Sequence, residues 1–226
     1  PRLPRWIGAA PGADLMPLDT GGLPPTRLRP DLKLIADMIE PGTRVLDIGC
    51  GDGALLAHLA AEKNVDARGV ELSQDGVNAC VARGLSVIQG DADTDLSYYP
   101  DGAFDFVVLG QTLQATRNPK AVLGNLVRIG RHAVVSFVNY GHWRTRLSLL
   151  LGGRMPVATG PGYGWYDSPD IHQCSVLDFV ELCESLGLTV ENAVSLSRHN
   201  RARQIQTVGL MANLRGQQAI FLLTRR

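Results

Sequence analysis

The 226 residues, 45% of them apolar, suffice for one sizeable α/β domain and hardly for two. Lys and Arg number 22 and so do Asp and Glu, so the chain has no net formal charge and no overall electrostatic case for nucleic acid or an acidic membrane as partner. No apolar run approaches a membrane span, and Cys50, Cys80, Cys174 and Cys183 show neither CxxC nor metal-ligand spacing, the pattern of reduced thiols in a cytoplasmic protein.

Residues 1–29 read as an arm. Seven of the thirteen prolines fall in the first 30 residues, with Gly8, Gly12, Gly21 and Gly22 among them, and such a stretch holds neither a continuous helix nor a central strand. Trp6, Ile7 and Leu15 leave it able to lie against a partner. The ordered domain is expected over 30–226. It opens on a helix in "RPDLKLIADMIEPG", with Pro30 and Asp31 at its start, Leu32, Ile35 and Ile39 on one stripe, and Pro41-Gly42 as its stop.

Apolar runs then alternate with helical patterns. Strands are predicted at 44–48, 66–71, 86–89, 104–109 and 132–138, and helices at 53–62, 74–83 and 119–129. This alternation predicts a doubly wound, mostly parallel sheet with helices on both faces. Residues 139–174 break the rhythm as an insertion rich in Gly, Trp, Tyr, Arg and His. A helix follows in "SVLDFVELCESLG", capped by Ser175, boxed by Asp178 and stopped by Gly187. "LTVENAVSL" and "QQAIFLLTR" read as closing strands, joined by a basic connection holding Arg198, Arg201 and Arg203.

The chemistry concentrates in "VLDIGCGDG". In a doubly wound sheet, ligands sit beyond the carboxyl ends of the strands, where glycine loops lead into helices. Gly49, Gly51 and Ala54 satisfy the dinucleotide pattern GxGxx(G/A), with Glu71 spaced for a ribose diol. Asp47 argues against a dinucleotide. Its carboxylate and a pyrophosphate would repel by several kcal/mol at an effective dielectric of ~20. S-adenosylmethionine carries an ammonium and a sulfonium and no phosphate. For that ligand, or for S-adenosylhomocysteine, Asp47, Gly49, Cys50, Gly51 and Gly53 form the loop beside the methionine part, where glycines let the backbone approach. Glu71 is expected to accept the ribose hydroxyls and Asp91 the adenine amino group, with Leu72 and Ala92 flanking the ring. Three acids at three successive strand ends weigh against a plain strand–helix turn.

The order Asp47, Gly49, Gly51, Gly53 resembles the DxGxGxG motif of the class I methyltransferases. That resemblance, over 30–226, implies a seven-stranded sheet with the last strand antiparallel. "RPDLKLIADMIEPGTRVLDIGCGDG", "GQTLQATRNP", "NYGHWRTRLSLLLGGRMPV" and "WYDSPDIHQCSVLDF" resemble more narrowly the MetW family of methionine biosynthesis. The likeness implies a cytoplasmic partner of homoserine O-acyltransferase that binds S-adenosylmethionine. A small-molecule methyltransferase with the insertion as its lid is the alternative, and the sequence names no methyl acceptor.

Methyl transfer from a sulfonium needs an in-line nucleophile more than a base. Gln111, Thr112 and Gln114, after the fourth strand, either face the methyl position or satisfy their own loop. In the insertion, Trp143, Leu147 and Leu150 share a helical face expected to be core, while Trp165, Tyr163, Tyr166 and three arginines have the composition of an interface. His172 reads as structural, and Cys80 and Cys183 as core.

Overall fold

The structure, a computed structural model, describes residues 28–155, 164–197, 199–206 and 209–225. Most of the expected arm, including Trp6, Ile7 and Leu15, lies outside them, as do Tyr163 and Arg198.

Helix α1 (Pro30–Met38) begins on its proline and buries Ile35 and Ala36, with Ile39 beyond its end. Strand β1 (Arg44–Ile48) leads through the glycine loop into α2 (Ala54–Lys63). Strand β2 (Asp66–Glu71), α3 (Gln74–Ala82) and β3 (Ser86–Gln89) follow, then β4 (Phe104–Gly110), α4 (Pro119–Ile129) and β5 (Gly130–Val138). The insertion supplies α5 (Trp143–Gly152). Helix α6 (Val176–Ser185) carries the expected capping box between Ser175 and Asp178, and the chain ends through β6 (Leu188–Leu196), β7 (Ala202–Gln204), α7 (Leu210–Arg215) and β8 (Gln218–Arg225).

The strands form one sheet in the order β3-β2-β1-β4-β5-β8-β6-β7. The first five pair in parallel, and β8 inserts antiparallel between β5 and β6. This is the expected doubly wound, mostly parallel sheet with its last strand antiparallel. It has eight strands rather than seven. The addition is β7, three exposed residues paired with the edge of β6. Alternation along β1 divides the core. Val45 packs with Ile35, Leu55 and Ile220 under α1 and α2, whereas Leu46 and Ile48 join Leu123, Phe179 and Phe221 under α4 and α6.

One correction concerns α5. None of its residues is buried, and Trp143, Leu147 and Leu150 are 49%, 42% and 79% exposed, so the face expected to be core is open to solvent. Its N-terminal root is firmly held. Asn139, buried at the end of β5, donates from Nδ2 to the carbonyls of Asn213 and Gly216 at 2.7 Å each, and its Oδ1 accepts from the backbone N–H of Gly141 and Val176. One side chain thus ties β5, α6 and α7 together. Asn139→Ala strands three buried backbone groups, since the Val176 N–H keeps Asn213 Oδ1 as acceptor, and is expected to destabilise the chain by about 3–5 kcal/mol. Urea unfolding of the two proteins measures it, and a change below about 1 kcal/mol would show that these groups find other partners.

Candidate functional site

The sheet order reverses between β1 and β4, and the carboxyl ends of these strands open there. A cleft of about 280 Å³ lies at this end, lined by Gly49, Glu71, Leu72, Asp91 and Ala92 among others. Five of the residues singled out from the sequence therefore meet around one space. Asp93, Thr112, Thr116 and Arg117 also line it and were not assigned to the ligand at the sequence level, apart from Thr112.

Glu71 ends β2 and is already engaged. Its Oε2 accepts from the Gly51 N–H and its Oε1 from the Ser73 N–H, both at 2.8 Å. The carboxylate pins the glycine loop to the start of α3 and keeps lone pairs free on both oxygens. Leu72 beside it is 64% exposed, an apolar surface with no protein cover. Beyond β3, Asp91 Oδ1 accepts from the Asp93 N–H, and Asp93 in turn accepts from the N–H groups of Arg117 and Asn118. These bonds hold the far wall of the cleft.

The glycines differ in their reasons. Gly49 has φ +73°, and a Cβ there would collide with Oγ1 of Thr112. Gly51, at φ +58°, has open space where a Cβ would stand. Gly53 is pressed between Leu85 and Cys80 and serves packing. Cys50 fills space within the loop. It is turned away from the cleft, buried against Leu56 and Cys80 with its sulfur 3.9 Å from Cys80 Sγ, and burial raises its thiol pKa steeply. Only its backbone belongs to the loop.

Asp47 is the most unusual group. It is the penultimate residue of β1, on the α1 side of the sheet, is 4% exposed, and its carboxyl makes no hydrogen bond or ion pair among the described residues. Burial, and next the negative charge of Glu71, raise its pKa to about 7 against the pull of Arg29. Close by, Asp31 Oδ2 accepts from Arg29 Nη2 at 3.0 Å and from Gln111 Nε2 at 2.7 Å. Gln111 follows β4 with φ +57°, a conformation non-glycine residues rarely adopt. Arg29 and Asp31 escaped the sequence reading because an acid in a first helical turn ordinarily needs no other explanation.

Gln114 is not part of the opening. It is buried, donates to the Val138 carbonyl, accepts from the Val138 N–H, and its own carbonyl receives the N–H groups of Ile171 and His172. It fastens the insertion to the sheet. His172 sits near Arg117, with Nε2 3.2 Å from that carbonyl. Among the described residues, no group of three or more His, Cys, Asp or Glu is arranged to hold a metal, and no helix is long and apolar enough to cross a membrane.

Comparison with known proteins agrees with this geometry. The chain is similar to a SAM-dependent methyltransferase of Thermotoga maritima described as a possible histamine N-methyltransferase, with TM-score 0.64, 18% identity, and 87% of this chain and 88% of that one covered. It is also similar to a SAM-dependent methyltransferase of Archaeoglobus fulgidus, with TM-score 0.61, 18% identity, and coverage of 86% and 91%. At such identities the likeness is one of fold. In sequence it is 32% identical over 176 residues to the bifunctional methionine biosynthesis protein MetXA/MetW of Rhodopirellula baltica, covering 74% of this chain and 28% of that longer protein. Residues 29–223 match the sequence profile of the methionine biosynthesis protein MetW, and the chain belongs to that family.

Proposed function

We infer that this chain binds S-adenosylmethionine, or S-adenosylhomocysteine, at the carboxyl ends of β1, β2 and β3, and acts in the cytoplasm with homoserine O-acyltransferase, whose activity it adjusts. The observation that carries the ligand is Asp47. A carboxyl almost wholly buried without a hydrogen-bond partner among the described residues is costly to ionise unless a cation arrives, and the ligand's α-ammonium is such a cation. The residues around it fit the rest of the molecule. Open space over Gly51 admits the methionine chain, and Glu71 has lone pairs left for the ribose hydroxyls. Asp91 and the N–H of Ala92 would meet the adenine edge, with the exposed Leu72 against the ring. A dinucleotide would set its pyrophosphate against Asp47, and the repulsion between the two anions disfavours it.

The relative from Rhodopirellula baltica, named as a MetXA/MetW fusion, supports the partnership, because two functions joined in one chain commonly work together in space. The surface offered to such a partner is α5, where Leu150 and Leu151 are 79% and 77% exposed, and the same insertion exposes Trp165 and Tyr166 at 76% and 77%. Aromatic and aliphatic anchors of this kind form interface centres.

A second reading, methyl transfer to a small molecule, draws on Gln111, whose positive φ just beyond β4 is rare outside glycine, since strained backbone gathers at reacting sites. One experiment separates the two. Calorimetry should detect both adenosyl ligands and no NAD. Gel filtration with the acyltransferase should give a complex that the adenosyl ligand strengthens or weakens, and Leu150→Glu with Leu151→Glu should abolish it. Tight NAD binding without adenosyl binding would sink the ligand reading. No complex, together with label transferred from S-adenosylmethionine to a small molecule, would leave the methyltransferase alone.

A further inference from the structure

The charge of this chain is balanced overall but not along its length. Residues 192–226 contain no Asp or Glu, yet hold six arginines: Arg198, Arg201, Arg203, Arg215, Arg225 and Arg226. The zero net charge of the whole therefore conceals a strongly basic end and an acidic remainder.

The fold gathers part of this charge in one place. A cleft of about 500 Å³ is lined by Ser195, Ser197, His199, Arg201, Arg203 and Arg215. It lies at the β7 edge of the sheet, four strands away from β4 and the opening beside it. The register explains the convergence. Ser195 pairs with Arg203 across the β6–β7 hairpin, and the hairpin is closed by Ser197 N–H to the Arg201 carbonyl at 3.1 Å and Arg201 N–H to Ser197 Oγ at 3.2 Å. Alternation then places Arg201 and Arg203 on the same face as these serines. Arg215 comes from the last turn of α7. The next residue, Gly216, stands so close to Ser195 that an added Cβ would lie 2.7 Å from the serine Cβ.

The guanidinium groups of Arg201, Arg203 and Arg215 make no ion pair or hydrogen bond among the described residues, unlike those of Arg83 with Asp52 and Arg128 with Asp101. Three like charges held around one concavity repel each other, and that repulsion is relieved when an anion enters.

We propose that this cleft is a second ligand site, for a small phosphate-bearing anion. Guanidinium forks match phosphate oxygens in pairs, and the Ser197 hydroxyl adds a donor, while that of Ser195 is engaged with the Arg203 carbonyl. Among the described residues no Phe, Tyr or Trp lines the cleft and His199 is its single ring, so recognition centres on the phosphate group and not on a nucleobase. Its concave form and size suit a small molecule better than the flat, longer basic stripe of a nucleic-acid surface. The site is independent of adenosyl binding.

Inorganic pyrophosphate is the probe, titrated by calorimetry at physiological ionic strength, with citrate as a carboxylate comparison. Wild type should bind pyrophosphate and prefer it to citrate by at least ~10-fold. Arg203→Gln and Arg215→Gln should each weaken binding by about 10-fold, while Arg225→Gln, the same charge loss outside the cleft, should leave it unchanged. All three variants should keep wild-type melting and adenosyl-ligand affinity, which shows that they fold. Absence of pyrophosphate binding would overturn the proposal. Equal losses in all three variants would do the same, since net charge alone would then account for binding. An Arg203→Gln protein that self-associates but binds pyrophosphate normally would also overturn it, leaving the arginines as guards of an edge strand.

Discussion

Glu71→Ala should lower the affinity for S-adenosylmethionine by at least ~100-fold, through two losses at once. The ribose loses its acceptor, and each charge-assisted bond of this kind contributes roughly 1.5–3 kcal/mol. The glycine loop also loses its fastening, because the same carboxylate accepts from the N–H groups of Gly51 and Ser73. The variant should still fold. Glu71 stands at a strand end, half-exposed, and the apolar core under β2 rests on Val70. Glu71→Gln gives an intermediate result. Its carbonyl oxygen keeps one backbone bond, while its amide group faces an N–H donor and cannot accept. Calorimetry on the three proteins, with circular dichroism to verify folding, measures the series. Unchanged affinity in a folded Glu71→Ala protein would remove the ribose from this strand end.

The strand ends were legible in the sequence for a physical reason. A parallel strand buried on both faces is a short apolar run, and its end is marked where glycine or an acid interrupts it, as at Asp47 and Gly49 at the end of β1. At the more exposed β2 and β3, the acids Glu71 and Asp91 with their flanking turn residues gave the mark. Caps were equally visible, since Ser175 and Asn118 act within three residues of themselves. What a face packs against was not. Trp143, Leu147 and Leu150 have the period of a core helix, but periodicity says only that they share a side, and in the structure that side has no cover. Long-range polar ties were hidden for a similar reason. Gln114 next to Gln111 looks like its equal, yet one grips β5 and the insertion while the other reaches Asp31 across 80 positions. Strand β7 was missed because three exposed residues, one alanine and two polar, carry no alternation, and its existence depends on the edge of β6.

Ligand affinity should also depend on pH, in the direction expected of any cation-binding carboxylate but close to neutrality and not near pH 4. Burial and Glu71 raise the Asp47 pKa from 3.8 to about 7, so below that pH the free protein holds a proton there. A ligand ammonium needs the carboxylate, and binding must then expel the proton. Affinity for S-adenosylmethionine should fall by up to ~10-fold for each pH step of one below about 7 and level off above it. Titrations in buffers of different ionisation heat should detect close to one proton released per ligand bound in the acidic limb. The raised pKa acts on folding as well. Between about 4 and 7 the folded chain keeps a proton that the unfolded chain has given up, so this group's contribution to stability declines as pH rises through that window. Asp47→Asn removes the dependence. Above pH 7 the variant should be more stable than wild type by at most about 4 kcal/mol, the free energy of holding this carboxyl ionised without a partner. It should bind the adenosyl ligand weakly at every pH. A buried carboxyl without a partner thus weakens the empty protein in order to hold a cation, and stability and binding should move in opposite directions when it is neutralised. Wild-type affinity that stays level from about pH 5.5 to 8 would mean that Asp47 is ionised throughout, and would take away the group on which the ligand assignment rests.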